Sequence, residues 1–408
     1  MDMHINPTLL RGAVTPPPSK SMAHRLLISA ALAEGTSVIR NVALSQDIEA
    51  TLRCVEALGC SWERAEPACI RIHGCGPIVP TDGGMPQFDC GESGSTLRFF
   101  IPIALAMAGS GAFTGRGRLM ERPQAPYFDL FDEKGIVHFL QNGVLTVRGT
   151  LKSGEYRLPG DVSSQFFTGL LFALPLLEED SVIISTTEPE SADYIAMTVE
   201  ALRAAGIRVL SQPAQRRWTV PSGQFHSFDA TVEADWSQAA FWYAANVLGS
   251  TLRLEGLNPK SSQGDRVAAE YAARLSQPGD VEIDVSGCPD LVPPLAVMAA
   301  VRQGTARFTN AARLRLKESD RLKTTAAMLL ALGGDTDEET DSLTIRGGSR
   351  LSGGIVNGAG DHRIVMAAAI AATRCTGPVT ILGAEAVNKS YPSFFEDYSA
   401  LGGDVHVV

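Results

Sequence analysis

Residues 92–109 read ESGSTLRFFIPIALAMAG: small polar residues first, then a run that is apolar on nearly every helical face. A helix apolar all round is a buried helix. The same design begins at Ser19 (SKSMAHRLLISAALAEG), Asp161 (DVSSQFFTGLLFALPLL), Asp235 (DWSQAAFWYAANVLG), Pro289 (PDLVPPLAVMAAVRQG) and Asp361 (DHRIVMAAAIAATRC). Successive starts lie about 70 residues apart, with one interval nearer 55. A period this regular is a sign of architecture before it is a sign of function.

Between these segments lies a second helix type, amphipathic and closed by glycine: DIEATLRCVEALG (47–59), YFDLFDEKG (127–135), YIAMTVEALRAAG (194–206), RLKTTAAMLLALG (321–333) and FFEDYSALG (394–402). A glycine there supplies the left-handed residue that ends a helix. The copy around 267–275 lacks it and is the weakest. Short alternating strands follow, such as CIRIHG (69–74), VLTVRG (144–149), RWTVPSG (217–223) and SLTIRGG (342–348). The unit is therefore strand, buried helix, strand, amphipathic helix, strand pair. The fold class is α/β, with sheets outside and buried helices packed together inside.

Lys plus Arg number 35 and Asp plus Glu 45, a net charge of −10. That balance argues against a general nucleic-acid binder, which needs excess cations. A local cation cluster for a small anion remains compatible with it. No apolar run approaches the roughly 18 residues of a membrane span, and the N-terminal Met-Asp-Met-His-Ile lacks the pattern of a signal peptide. Seven cysteines without a Cys-x-x-Cys pair fit a reducing, cytoplasmic location. The scattered histidines give no metal motif, so no metal is expected.

The polar residues of interest sit where buried helices begin. Such ends carry unpaired N–H groups and about half a positive charge, which favours anions. PPPSKSMAHR (16–25) places Lys20, Ser21 and Arg25 on a helix otherwise apolar. Two unpaired charges there are costly, which favours contact with an anionic ligand over a capped, solvated helix. GESGSTLR (91–98) lets a ligand approach backbone around Gly94, but without Gly-Lys-Ser/Thr it is no P-loop. Its Arg98 reads equally as a structural ion pair. Arg122 precedes Pro123, so extended backbone is expected, and its planar fork suits a carboxylate or phosphate as well as a surface salt bridge. Ser163, Ser164, Gln165, Ser191 and Tyr194 offer hydroxyl and amide groups that serve either capping or a polar ligand.

Lys317, Glu318 and Arg321 in LKESDRL (316–322) form a charge run just before a helix. Arg363 follows His362 at the head of an Ala-rich helix, and Lys389 lies in NKSYP (388–392). Seven cations (Lys20, Arg25, Arg122, Lys317, Arg321, Arg363, Lys389), placed at or near helix starts in an acidic protein, call for a strongly anionic ligand. Asp290 and Glu318 among them suggest proton transfer on a substrate held by phosphate and carboxylate groups.

In order, SKSxxxR, GxSGSxxR, ERP, SSQ, KESDR, DHR and NKSYP, from Ser19 to Pro392, resemble the 5-enolpyruvylshikimate-3-phosphate (EPSP) synthase family. The resemblance implies two domains, each of three β-α-β-α-β-β repeats around buried helices. Residues 14–228 would form an inserted domain, residues 1–13 and 229–408 the second, with the active site in the cleft between them. It implies a monomer that needs no cofactor and transfers the enolpyruvyl group of phosphoenolpyruvate to the 5-hydroxyl of 3-phosphoshikimate. By resemblance, Lys20, Ser21, Arg25, Ser163, Ser164, Gln165, Ser191, Tyr194, Asp290 and Lys317 would hold 3-phosphoshikimate. Lys20, Gly94, Arg122, Gln165, Arg321, Arg363 and Lys389 would hold phosphoenolpyruvate. Asp290 would accept the hydroxyl proton, and Glu318, with Lys20 as competitor, would protonate the methylene carbon.

Three positions depart from many relatives: Ser95 and Phe99, where Thr and Pro are common, and Arg313, where Asn is common. UDP-N-acetylglucosamine enolpyruvyl transferases share the fold and the donor but carry Lys-Asn at the first motif and a loop cysteine. This chain has Lys20-Ser21, and its loop Gly115-Arg-Gly-Arg-Leu-Met120 has no cysteine. RNA 3′-phosphate cyclases share a related fold, but no nucleotidylation histidine is evident.

Overall fold

A computed structural model of the chain describes residues 1–76, 84–348 and 350–408. It forms two compact units: a terminal unit of Met1–Ser19 with Ala234–Val408, and an insert unit of Lys20–Glu233. The units divide after Ser19 and after Glu233, within a few residues of the boundaries expected from the sequence. Strand Arg11–Val14 pairs in parallel with Thr251–Leu254 of the terminal unit, and Asp229–Thr231 pairs in parallel with Glu34–Arg40 of the insert.

The helices are α1 (Lys20–Leu32), α2 (Gln46–Ala57), α3 (Gly94–Ala108), α4 (Ala125–Lys134), α5 (Ser164–Ala173), α6 (Ala192–Ala204), α7 (Trp236–Val247), α8 (Ala268–Leu275), α9 (Val292–Val301), α10 (Arg321–Ala331), α11 (His362–Ala372) and α12 (Phe394–Ala400). The odd-numbered ones are the apolar segments of the sequence, and nearly all their residues are buried. The even-numbered ones are amphipathic. α4 ends at Gly135 with φ 68°, as its glycine leads one to expect.

Each four-stranded sheet repeats one plan. Gln87–Asp89 runs parallel to Ser110–Thr114, across the crossover helix α3. Ser110–Thr114 then pairs antiparallel with Val144–Arg148, which closes a hairpin with Val137–Gln141. Four further sheets share this order of one parallel and two antiparallel pairings. The repeat containing α8 differs: its sheet has two strands, Arg11–Val14 and Thr251–Leu254. α8 ends at Leu275 and the next strand begins at Val281, which leaves no chain for a hairpin. That is the copy whose sequence signal is weakest.

Each unit has its own core. In the insert it is built by Leu27, Phe99, Phe100, Phe166, Phe167 and Phe172, and in the terminal unit by Phe241, Trp242, Leu295, Met298, Ile364 and Met366, all fully buried. Each such side chain contributes roughly 1.5–3 kcal/mol of transfer free energy. Among the described residues, no helix is long and apolar enough to cross a membrane, and no cluster of His, Cys, Asp and Glu is placed to hold a metal ion.

Candidate active site

In the insert unit, Lys20 is the first residue of α1, and its ammonium lies 2.7 Å from Asp47 at the start of α2. One turn further along, Arg25 is only 2% exposed. Its Nε donates to Thr198 Oγ1 at 2.9 Å and its Nη2 to the Tyr194 carbonyl at 3.0 Å, while its Nη1 donates to the Ser21 carbonyl at 2.7 Å. The rings of Phe99 and Tyr194 face its guanidinium at 5.3 and 5.8 Å. No carboxylate is among these partners. Burial accordingly pulls its pKa down to about 10.

The second insert cluster is held by a defect in α3. Pro102 has no N–H, so the Arg98 carbonyl loses its helical donor. The Tyr127 hydroxyl donates to that carbonyl instead, at 2.8 Å. Gly169 allows the approach: a Cβ there would sit 2.4 Å from the same carbonyl oxygen and 2.2 Å from the Tyr127 hydroxyl. α5 is thus locked against α3, and Arg98 reaches Gln165 Oε1 at 2.8 Å and the Pro123 carbonyl at 2.9 Å. The Gln165 amide nitrogen donates to Ser95 Oγ at 3.0 Å. Arg122 is extended, with ψ 137°, as the following proline requires. Its Nη1 lies so close to Gly94 that an added Cβ would stand 2.7 Å away. Ser163 caps α5, accepting from the Gln165 N–H, and Ser164 is the first residue of that helix. Ser191 precedes α6 in the left-handed region at φ 53°, where a non-glycine residue is strained.

The terminal unit is built differently. Asp290 sits in a tight turn, Pro289–Leu291, that runs into α9. Its Oδ1 accepts from Arg321 Nη1 at 2.8 Å and lies 3.3 Å from the Lys317 ammonium; its Oδ2 accepts from Arg363 Nη2 at 2.9 Å. Burial alone would raise its pKa, but Arg363, Lys317 and Arg321 hold it well below the usual carboxylate range. Arg321, 1% exposed, also binds Glu318 and the Asp361 carboxylate, whose Oδ2 is 2.9 Å from its Nε. Burial would lower the Arg321 pKa; Asp361, Glu318 and Asp290 more than reverse that. Asp361 caps α11 by accepting from the Arg363 N–H at 3.0 Å. Lys389 ends a short helical turn and donates to the Gly360 carbonyl at 2.7 Å. Burial lowers the Lys317 pKa against the opposing charge of Asp290.

The sequence model described as EPSP synthase (3-phosphoshikimate 1-carboxyvinyltransferase) matches residues 5–398. A 3-phosphoshikimate 1-carboxyvinyltransferase of Clostridium kluyveri is 44% identical, over 98% of this chain and 97% of its own. That of Clostridium acetobutylicum is 42% identical over the same shares. The chain belongs to the EPSP synthase family. The solved EPSP synthase of Acinetobacter baumannii superposes with a TM-score of 0.81 at 25% identity, both chains covered in full. The enolpyruvyl transferase NikO of Streptomyces tendae, 16% identical, shares the fold with a TM-score of 0.78 over 99% of this chain and 98% of its own.

Against this family background, the expected residues fall into two sets. Lys20, Ser21, Arg25, Gly94, Arg122, Ser163, Ser164, Gln165, Ser191 and Tyr194 lie in the insert; Asp290, Lys317, Glu318, Arg321, Arg363 and Lys389 lie in the terminal unit. Arg25 lies one turn into α1, and α10 begins at Arg321, where the Asp320 side chain accepts from the Lys323 N–H. Arg313 donates to the Ser286 carbonyl at 2.7 Å, and Phe99 is fully buried beneath Arg25. Sequence reasoning passed over Asp47, Asp361 and Ser237, whose Oγ accepts from Arg363 Nη2 at 3.1 Å. The signal for Asp361 was present, since Asp at the head of a buried helix is a cap placed beside the ligand-facing end.

Proposed function

We propose that this EPSP synthase family member transfers the enolpyruvyl group of phosphoenolpyruvate to the 5-hydroxyl of 3-phosphoshikimate and releases phosphate. Asp290 carries this reading: an ionised carboxylate set among Lys317, Arg321 and Arg363. A donor bearing phosphate and carboxylate competes for those cations. As it takes them up, Asp290 loses the charges that depress its pKa and becomes basic enough to accept the 5-hydroxyl proton. Glu318, with Lys20 as the competing donor, protonates the methylene carbon, which makes C2 cation-like. The 5-oxygen adds there, giving a tetrahedral phosphate ketal. Loss of a methyl proton and of phosphate then yields the enol ether. Fixed cations orient both anions, and orientation supplies much of the rate.

Arg25 supports the acceptor assignment. A buried cation bonded to hydroxyls, carbonyls and ring faces is stabilised by an arriving dianion such as the 3-phosphate. Ser21, Ser163, Ser164, Gln165, Ser191 and Tyr194 complete that assignment, while Gly94, Arg122 and Lys389 are assigned to the donor. The test is phosphate release from phosphoenolpyruvate with 3-phosphoshikimate or UDP-N-acetylglucosamine as acceptor, with and without chelator. Release with the shikimate ester alone, unaffected by chelator, is expected. Release with the UDP-sugar alone, or abolished by chelator, overturns the reading.

A further inference from the structure

Behind Arg363 lies a carboxylate that the reaction above does not use. Asp265 is 4% exposed and sits in a tight turn, Gly264–Val267. Gln263 ties that turn to the head of α7: its Oε1 accepts from the Trp236 N–H at 3.0 Å and its Nε2 donates to the Ala234 carbonyl at 2.9 Å. The next residue of α7, Ser237, donates its hydroxyl proton to Asp265 Oδ2. A serine hydroxyl has one proton. With that proton committed to Asp265, the oxygen presents lone pairs to Arg363, whose Nη2 donates to it at 3.1 Å and to Asp290 Oδ2 at 2.9 Å.

We propose that Asp265 is a positioning residue for phosphoenolpyruvate, fixing the Ser237 hydroxyl so that Arg363 Nη2 is held by two acceptors with the guanidinium set for the donor anion. This rests on the assignment of Arg363 to phosphoenolpyruvate made above. Remove the Asp265 charge and Ser237 is free to turn its proton toward Arg363, whose Nη2 then loses the serine oxygen as an acceptor beside Asp290 Oδ2. The groups facing Asp265 are Ser237 from α7, Asp235 capping that helix, Asp290 from the turn before α9 and Arg363 from α11. Burial first, then the charge of Asp290, raises its pKa to about 6, against the opposing pull of the Ser237 bond and Arg363. The relay is therefore intact at pH 8 and loosened at pH 5.

The experiment compares wild type with Asp265→Asn, a near-isosteric change, and measures KM for each substrate and kcat from pH 5 to 8. At pH 8 the variant should raise KM for phosphoenolpyruvate roughly tenfold, the scale of one hydrogen bond to a charged group, with KM for 3-phosphoshikimate unchanged. The donor's own phosphate titrates in this range, so the readout is the ratio of variant to wild-type KM. That ratio should fall toward one as pH drops below 6, where wild-type Asp265 also becomes neutral. Ser237→Ala, which removes the relay and keeps the carboxylate, should give the same selective rise, and the double variant should be no worse than the worse single one. No rise in the phosphoenolpyruvate KM at pH 8, or equal rises in both KM values, overturns the proposal while leaving the function standing. Wild type that turns over neither pair of substrates overturns the function and this proposal with it.

Discussion

The most buried site cation of each unit, Arg25 in the insert and Arg321 in the terminal unit, is compensated in the opposite way. In the insert, Arg25 is surrounded by Thr198, the Tyr194 and Ser21 carbonyls and two ring faces. In the terminal unit, Arg321 is gripped by Asp290, Glu318 and Asp361. A cation held by neutral groups keeps most of its field for a ligand. A cation interleaved with carboxylates lends them acidity and takes it back when an anion arrives. The first arrangement is suited to holding an anion and the second to moving protons around one, a division between two environments.

The most direct way to break that division is to neutralise the carboxylates without changing their shape. Asp290→Asn and Glu318→Gln should each lower kcat by about 10²–10⁴-fold. Both should still bind 3-phosphoshikimate by calorimetry, because its phosphate is assigned to the insert unit. Near-normal turnover in either variant removes that residue from proton transfer.

Stability gives a second contrast from one type of substitution. Arg321→Met takes the shared cation away from Asp361, Glu318 and Asp290, of which Asp290 keeps Lys317 and Arg363, and should cost about 3–5 kcal/mol in denaturant unfolding. Arg25→Met removes a buried cation with no carboxylate among its partners and leaves no charge behind, so it should cost about 1 kcal/mol or less, while 3-phosphoshikimate affinity collapses. Equal stability losses would show that the two cations are compensated alike.

The smallest effect concerns pH. His24, buried in α1 with Nδ1 2.7 Å from Thr51 Oγ1, is held well below its ordinary 6.5 by burial first and then by the charges of Lys20 and Arg25. The folded state keeps it neutral while the unfolded chain takes up a proton. Stability is therefore whole above pH 6.5 and declines as pH falls below it, by about 1.4 kcal/mol per pH unit at the steepest. His24→Asn should flatten that decline between pH 6.5 and 5. Hydrogen exchange of the α1 amides reads it, and a slope equal to that of wild type would mean His24 charges freely in the folded protein.

The repeat was legible because its causes are local. An all-apolar stretch such as 99–108 must be buried wherever it lies, and a glycine such as Gly135 ends a helix by its own backbone freedom. Even the weak copy at 267–275 announced itself, as the repeat that lacks the hairpin. Lys20, Arg321 and Arg363 were legible as candidates because charge at the head of an apolar helix is costly unless a ligand or a counter-charge meets it.

Sequence alone thus determined the α/β repeat, the family and the residue types at the heads of the buried helices. Which cation meets which carboxylate was decided only by tertiary structure. Asp290 and Arg363 are 73 residues apart in the chain, and Asp361 and Arg321 are 40 apart. No periodicity relates such pairs; they meet because parallel crossovers bring the starts of α9, α10 and α11 together. The same holds for Pro102, whose cost to α3 is offset by a tyrosine and a glycine from two other helices. Local chemistry fixes what each segment must become, whereas electrostatic pairing depends on distances that exist only once the chain has folded.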